Sequence, residues 1–105
     1  MAAPFPRPLT RADGSAYIYL PGHYLLPHSD SRVSEGRAIA YAYYAGAPQK
    51  GGELEFFERT ARRVARKIAP RANRLVLFEV HDLALHQVRE VLAGARTSIA
   101  GWFYP

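Results

Sequence analysis

From Ser15 to the C-terminus, apolar residues come in short runs separated by turn-forming residues: AYIYL, YLLP, IAYAYY, LEFF, LVLFEV, SIAGWFY. Runs of that length bounded by Gly, Pro, Asn and Asp predict β-strands. They fall near 16–20, 24–30, 37–45, 53–58, 63–69, 74–80, 84–90 and 96–104. Such even spacing predicts an all-β sandwich, barrel or jelly roll of about eight strands with little helix. The first fourteen residues, broken by Pro4, Pro6, Pro8 and Gly14, read as an irregular lead-in, and 15–105 as a single domain. One segment dissents. ELEFFERTARRVARKI (53–68) has apolar positions at 56, 57, 61, 64, 65 and 68, acids early, bases late and Pro70 just beyond. On periodicity alone that is an amphipathic helix.

Two predicted strands have informative faces. In RAIAYAYY (37–44), Ile39, Tyr41 and Tyr43 share one side, while Ala38, Ala40, Ala42 and Tyr44 share the other. The second face is small until Tyr44, which leaves room for a ligand and then offers it a hydroxyl; the alanines would equally admit a closely packed neighbour. In RTSIAGWFY (96–104), Arg96, Ser98, Ala100 and Trp102 fall together, opposite Thr97, Ile99 and Phe103. An Arg facing a cavity needs a reason, because an unpaired buried charge is costly.

The run LLPHSDS (25–31) ends with His28 and Asp30, two residues apart. In a strand both would leave the same face and supply two ligands to one metal. The bland alternative is a turn in which Ser29, Asp30 and Ser31 bond their own backbone. A facial site for non-haem Fe(II) needs one more imidazole, and His23, His81 and His86 are the candidates. His86 stands in the apolar run ALHQV, where a core histidine bonded to a carbonyl is the ordinary explanation.

Composition narrows the chemistry. The chain of 105 residues suits one domain and has no cysteine, which excludes disulfides, zinc–thiolate sites, iron–sulfur clusters and thiol catalysis. The N-terminal stretch shows no apolar signal region and no run long enough for a membrane span, so a cytoplasmic location is expected. Net charge is +5, and seven of the fourteen basic residues lie between Arg59 and Arg74. That stretch is either a solvated arginine-rich face or a patch attractive to RNA or an acidic partner, though it lacks the interleaved aromatics of a base-stacking platform.

The ordered set YLPGHYLLPHSD, GRAIAYAYY, GGELEFF, IAPRANRLVLFEV, HQVREVLAG and RTSIAGWF resembles the 2-oxoglutarate and Fe(II)-dependent dioxygenases, in their prolyl 4-hydroxylase-like branch, from Ala16 to Pro105. Within that branch, NRLVLFEV followed by HQVREVL is most similar to enzymes that hydroxylate a prolyl residue of a small-subunit ribosomal protein. The resemblance implies a double-stranded β-helix, with 53–68 divided into two strands. It implies His28, Asp30 and His86 as iron ligands, Arg96 and Tyr44 as the residues that hold 2-oxoglutarate, and Tyr19 near that cosubstrate. Leu54 and Trp102 are expected as apolar wall. Three ligands on one face leave three positions, two for the 2-oxo acid and one for dioxygen. The implied reaction hydroxylates an aliphatic C–H with release of succinate and CO2, with Fe(II), 2-oxoglutarate, O2 and ascorbate as cofactors.

The expected substrate is a proline-containing protein or peptide, with a ribosomal one as the candidate the closer resemblance suggests, or a small aliphatic molecule; neither a membrane nor a nucleic acid is required. Relatives carry a largely helical N-terminal extension over the major sheet, so a partner or self-association is expected to cover that face here. Two other readings remain: a non-catalytic barrel binding RNA or a ribosomal partner through Arg59–Arg74, and a cupin-like binder that uses the metal without 2-oxoglutarate. The first predicts salt-sensitive, metal-independent binding. The second leaves Arg96 without a carboxylate partner.

Overall fold

The structure, a computed structural model, describes residues 8–31, 36–58, 63–81 and 84–105. These form eleven strands and no helix: β1 (Arg11–Ala12), β2 (Ser15–Tyr19), β3 (Leu25–His28), β4 (Ile39–Gly46), β5 (Lys50–Gly51), β6 (Leu54–Phe57), β7 (Val64–Ile68), β8 (Leu75–Glu79), β9 (His86–Val88), β10 (Val91–Ala93) and β11 (Arg96–Tyr104). A major sheet runs β11–β4–β8, with β1 and β2 both pairing the other edge of β11. A minor sheet runs β3–β9–β6–β7, and β5 and β10 form a short separate ladder. All pairings are antiparallel. Two facing sheets whose strands from β2 onward alternate between them, apart from the β6–β7 hairpin within the minor sheet and the short β5–β10 ladder, make a double-stranded β-helix around inward-pointing residues. The core is Ala42, Tyr44, Leu54, Val76 and Val88, with Tyr19, Phe56, Ile68, Phe78 and Ala100 packed against it.

The helix suggested by the periodicity of 53–68 does not form among its described residues; 59–62 lie outside them. β6 and β7 pair instead, Leu54 opposite Ile68 and Glu55 opposite Lys67. The acid-to-base gradient that would suit a helix dipole is cross-strand pairing: Glu55 lies 3.8 Å from Lys67, and Glu58 lies 3.8 Å from Arg63.

The lead-in is not wholly irregular. Arg11 and Ala12 pair with Tyr104 and Phe103. Asp13 fastens that strand: Tyr104 donates its hydroxyl to Oδ2 at 2.6 Å, the Trp102 amide donates to Oδ1 at 3.1 Å, and the Tyr41 hydroxyl donates to the Asp13 carbonyl at 2.7 Å. The stretch 1–7, with Pro4 and Pro6, is outside the described residues. The strand expected over 24–30 stops at His28, so Asp30 is carried by the segment beyond it.

Candidate metal centre

Pro27 lies within β3, which is tolerated because β3 is an edge strand of the minor sheet. Between Leu25, opposite Val88, and His28, opposite His86, β3 carries one residue more than β9. Three positions apart, Leu25 and His28 would normally leave opposite faces; the bulge turns both toward the same cavity. It also sets the His28 and His86 rings beside one another across the ladder, centroids 4.3 Å apart and planes tilted by 56°.

Asp30 reaches the same point. Its Oδ1 lies 3.2 Å from His28 Nε2 and its Oδ2 lies 3.4 Å from His86 Nε2. The donor atoms of His28, Asp30 and His86 all lie within 4.8 Å of one another. His28 Nδ1 sits 2.8 Å from the Leu26 carbonyl, and His86 Nδ1 sits 3.0 Å from the Ala84 carbonyl. A carbonyl only accepts, so each Nδ1 carries the hydrogen and each Nε2 is turned toward the carboxylate, donating to it when the imidazole is protonated and offering its lone pair to a metal when neutral. Burial works against the Asp30 charge, but hydrogen bonds from His28 and His86 outweigh it and hold the carboxyl well below the ordinary carboxylate range. The Asp30 hydrogen bond in turn raises the His28 imidazole, more than burial lowers it. Two imidazoles with fixed lone pairs and one ionised carboxylate on a single side fit a divalent iron that keeps open positions. His23 belongs elsewhere: its Nδ1 accepts from the Leu20 amide at 3.0 Å. His81 is not part of the cluster.

The triad lines a cavity of about 340 Å³ that Tyr19, Leu54, Arg96 and Trp102 also line. The inner faces of β4 and β11 are as the alternation predicts, with Ala42, Arg96, Ser98, Ala100 and Trp102 on the wall. Arg96 is 4% exposed. Its Nε donates to the Gly52 carbonyl at 3.0 Å and its Nη2 to the Tyr44 hydroxyl at 3.2 Å. No carboxylate pairs with it among the described residues, so most of the donors of a buried guanidinium have no protein partner. Tyr44 is fully buried and not part of the wall; it sits behind Arg96, orienting the guanidinium, whereas the strand pattern expected its hydroxyl at the ligand.

The Gly51–Gly52 pair has a local cause. Gly52 adopts φ +75°, and a Cβ there would stand 3.1 Å from Arg96 Cδ and 3.3 Å from Val91 Cγ2. A side chain is thus opposed by backbone conformation and by the arginine that its carbonyl holds.

Sequence reasoning missed Arg37. Its guanidinium stacks 3.5 Å above the Trp102 ring, and Nη1 donates to the Asp30 carbonyl at 3.3 Å. It opens the predicted strand 37–45, where alternation puts it with Ile39 and Tyr41 rather than with the alanines; the strand starts only at Ile39, and Arg37 lines the cavity. Phe78 was legible, since LVLFE alternates and Val76 and Phe78 share the inward side. Phe78 packs edge-on against His86, centroids 4.9 Å apart.

A double-stranded β-helix with a His-x-Asp…His cluster and a buried arginine in one cavity defines the architecture of a metal- and oxo-acid-dependent oxygenase. The chain belongs to the 2OG-Fe(II) oxygenase superfamily, whose family model matches residues 14–104. That family uses Fe(II), 2-oxoglutarate and O2. The chain is 37% identical over 89 residues to prolyl 3-hydroxylase OGFOD1 of Mus musculus, covering 76% of this chain and 16% of the relative. It is 33% identical over 111 residues to prolyl 3-hydroxylase sudestada1 of Drosophila melanogaster, covering 91% and 20%. It therefore spans about a fifth or less of the length of these curated relatives. Among solved structures it is similar to a Pseudomonas putida prolyl-4-hydroxylase (TM-score 0.76, 25% identity, 91% of this chain, 52% of that one). It is also similar to a Trichoplax adhaerens prolyl hydroxylase solved with a hypoxia-inducible-factor peptide (TM-score 0.77, 26% identity, 91% and 45%).

Proposed function

We propose that this domain is a 2-oxoglutarate-dependent prolyl hydroxylase acting on a protein substrate. The observation that carries the reading is Arg96, a buried cation without a carboxylate partner among the described residues, on the wall of the cavity that holds the metal cluster. A buried guanidinium with free donors calls for a bidentate anion, and a carboxylate fits its geometry. His28, Asp30 and His86 are the residues that would hold iron, which supplies the oxygen chemistry when bound. The chain's own part is positional. The Leu26 and Ala84 carbonyls fix the imidazole orientations. Tyr44 and the Gly52 carbonyl fix Arg96. Leu54, Ala42, Phe78 and Val88 keep the cavity dry.

Trp102 supports the same reading, since its indole Nε1 is buried with no hydrogen-bond partner among the described residues, an open donor in a cavity-lining residue. A cupin-like site without an oxo acid would leave Arg96 unexplained. The prolyl substrate follows from the similarity to OGFOD1 and sudestada1, and a ribosomal-protein proline is the finer assignment suggested by NRLVLFEV and HQVREVL. The test is to incubate the protein with Fe(II), 2-oxoglutarate, O2 and proline-containing peptides, ribosomal ones included. Succinate release should match the gain of one oxygen at a prolyl carbon, and fragmentation with NMR then distinguishes C3 from C4. Succinate release without peptide oxidation on every peptide tried would contradict the protein-substrate reading.

A further inference from the structure

Behind the metal cavity lies a second hollow, a groove of about 610 Å³ between the outer edges of the two sheets. Its walls are β7 and β8, each the last strand of its sheet. Phe56 and Phe78 form its floor and also pack on His86, so they separate it from the triad. Arg66, Lys67 and Arg74 line it, and no acidic residue among those described does. Arg66 stands opposite Phe56 in the ladder, on the inward face of β7, and is exposed.

The β8 edge is open for pairing. Arg74 O accepts from Tyr44 N, Val80 N donates to Ala38 O, and Val76 and Phe78 stand opposite Ala42 and Ala40. Residues 74, 76, 78 and 80 thus bond toward β4, which turns the N–H and C=O of Leu75, Leu77 and Glu79 to the free side. No strand pairs with them among the described residues. Soluble proteins usually blunt such an edge with Pro, Lys or a bulge; LVLFE has none of these.

We infer that the β7–β8 groove docks an extended acidic segment of a partner protein, which adds to β8 as a strand and places its carboxylates against Arg66 and Arg74, Lys67 being already paired with Glu55. Backbone pairing supplies affinity, and the one-signed wall supplies selectivity. Nucleic acid is the less favoured occupant, because the groove's aromatic rings form its floor between two strands rather than an exposed stacking platform. The inference does not depend on the hydroxylation reading, since the two aromatic residues keep the groove apart from the triad.

Fluorescence anisotropy with the whole chain tests it, using three labelled probes: a decapeptide alternating Glu and Val, its Lys–Val counterpart, and a uridine decamer. The Glu–Val peptide should bind at least tenfold more tightly than the other two. N-methylating its central backbone amides should abolish binding. Arg66 makes no hydrogen bond or ion pair among the described residues, so Arg66→Glu removes no contact of that kind there. It should reverse the preference toward the Lys–Val peptide while leaving the circular dichroism spectrum and Mn(II) affinity unchanged. Equal binding of the acidic and basic peptides, unimpaired binding after N-methylation, tighter binding of the uridine decamer, or no effect of Arg66→Glu would each overturn the inference.

Discussion

Along β11, Arg96 and Ser98 point between the sheets and are each 4% exposed, while Ile99, one position on, is 45% exposed on the outside. The same inversion holds across the major sheet. Inside lie Ala40, Ala42, Arg96 and Ser98; outside lie Ile18, Leu75 and Leu77, at 65%, 57% and 49% exposure. Hydrophobic burial alone would choose the opposite arrangement. A sheet that gives part of its buried surface, beside Ile39, Tyr44 and Val76, to a cation and small residues is keeping room and charge for a ligand. Its apolar outer face is the surface that self-association or a partner would cover.

The comparison predicts that substitutions inside destroy ligand binding at modest cost in fold, and that substitutions on the outer face leave ligand binding alone. The largest effect belongs to Asp30→Ala, which should abolish metal binding and succinate formation together; retained turnover would remove Asp30 from the site. Next, Arg96→Ala should raise the 2-oxoglutarate requirement by ~30-fold or more, equivalent to ~2 kcal/mol, as when one partner of a buried charged contact is lost. An unchanged requirement in steady-state assays would break its assignment.

Acid should act through His28. Its imidazole is raised by Asp30, so proton competition with metal starts at higher pH than for an ordinary histidine, while Asp30, held low, stays ionised. Metal affinity should fall about tenfold per pH unit below the His28 pKa. In the metal-free protein the signs are opposite for the two groups. The His28 contribution to stability is full below the unfolded imidazole pKa and lost as pH rises through the folded one, whereas the Asp30 contribution is lost as pH falls through its depressed folded value. Calorimetry of both forms across pH 5 to 8 checks the pair, since stability should fall with rising pH without metal and rise with metal.

Gly52→Ala should cost ~1–2 kcal/mol for a left-handed backbone and raise the 2-oxoglutarate requirement a few-fold by displacing Arg96. Denaturant melts and the same assay read both. Smallest of all, Ile99→Thr on the outer face should change stability by less than ~0.5 kcal/mol and leave metal binding alone. A larger loss, falling with dilution, would show that the face is covered by a second copy.

Much of this was legible in the chain. Eight strands could be read because short apolar runs are bounded by turn residues, and the inner faces of β4 and β11 followed from period two. The segment 53–68 was ambiguous because Phe56, Phe57, Val64 and Ile68 also fit a helical period; its division into two strands came from the family resemblance, and the pairing of Leu54 with Ile68 agrees with it. The strands β1, β5 and β10 have two or three residues each, too few for any period. At the site, His28 and Asp30 were visible as a motif. Their meeting with His86 depends on the β3 bulge and on the Leu26 and Ala84 carbonyls, which no spacing encodes. Arg37 was missed because its role comes from stacking on Trp102, sixty-five positions away.

The central claim is that one cavity holds both the metal cluster and the oxo-acid arginine. It is tested most directly by anaerobic titration of the protein with Fe(II) and 2-oxoglutarate, following visible absorbance for the weak charge-transfer band of a metal-chelated 2-oxo acid. The account predicts a band that saturates at one equivalent, is lost in His86→Ala and needs more 2-oxoglutarate in Arg96→Ala. A folded protein that binds Fe(II) yet gives no band at any 2-oxoglutarate concentration would contradict it.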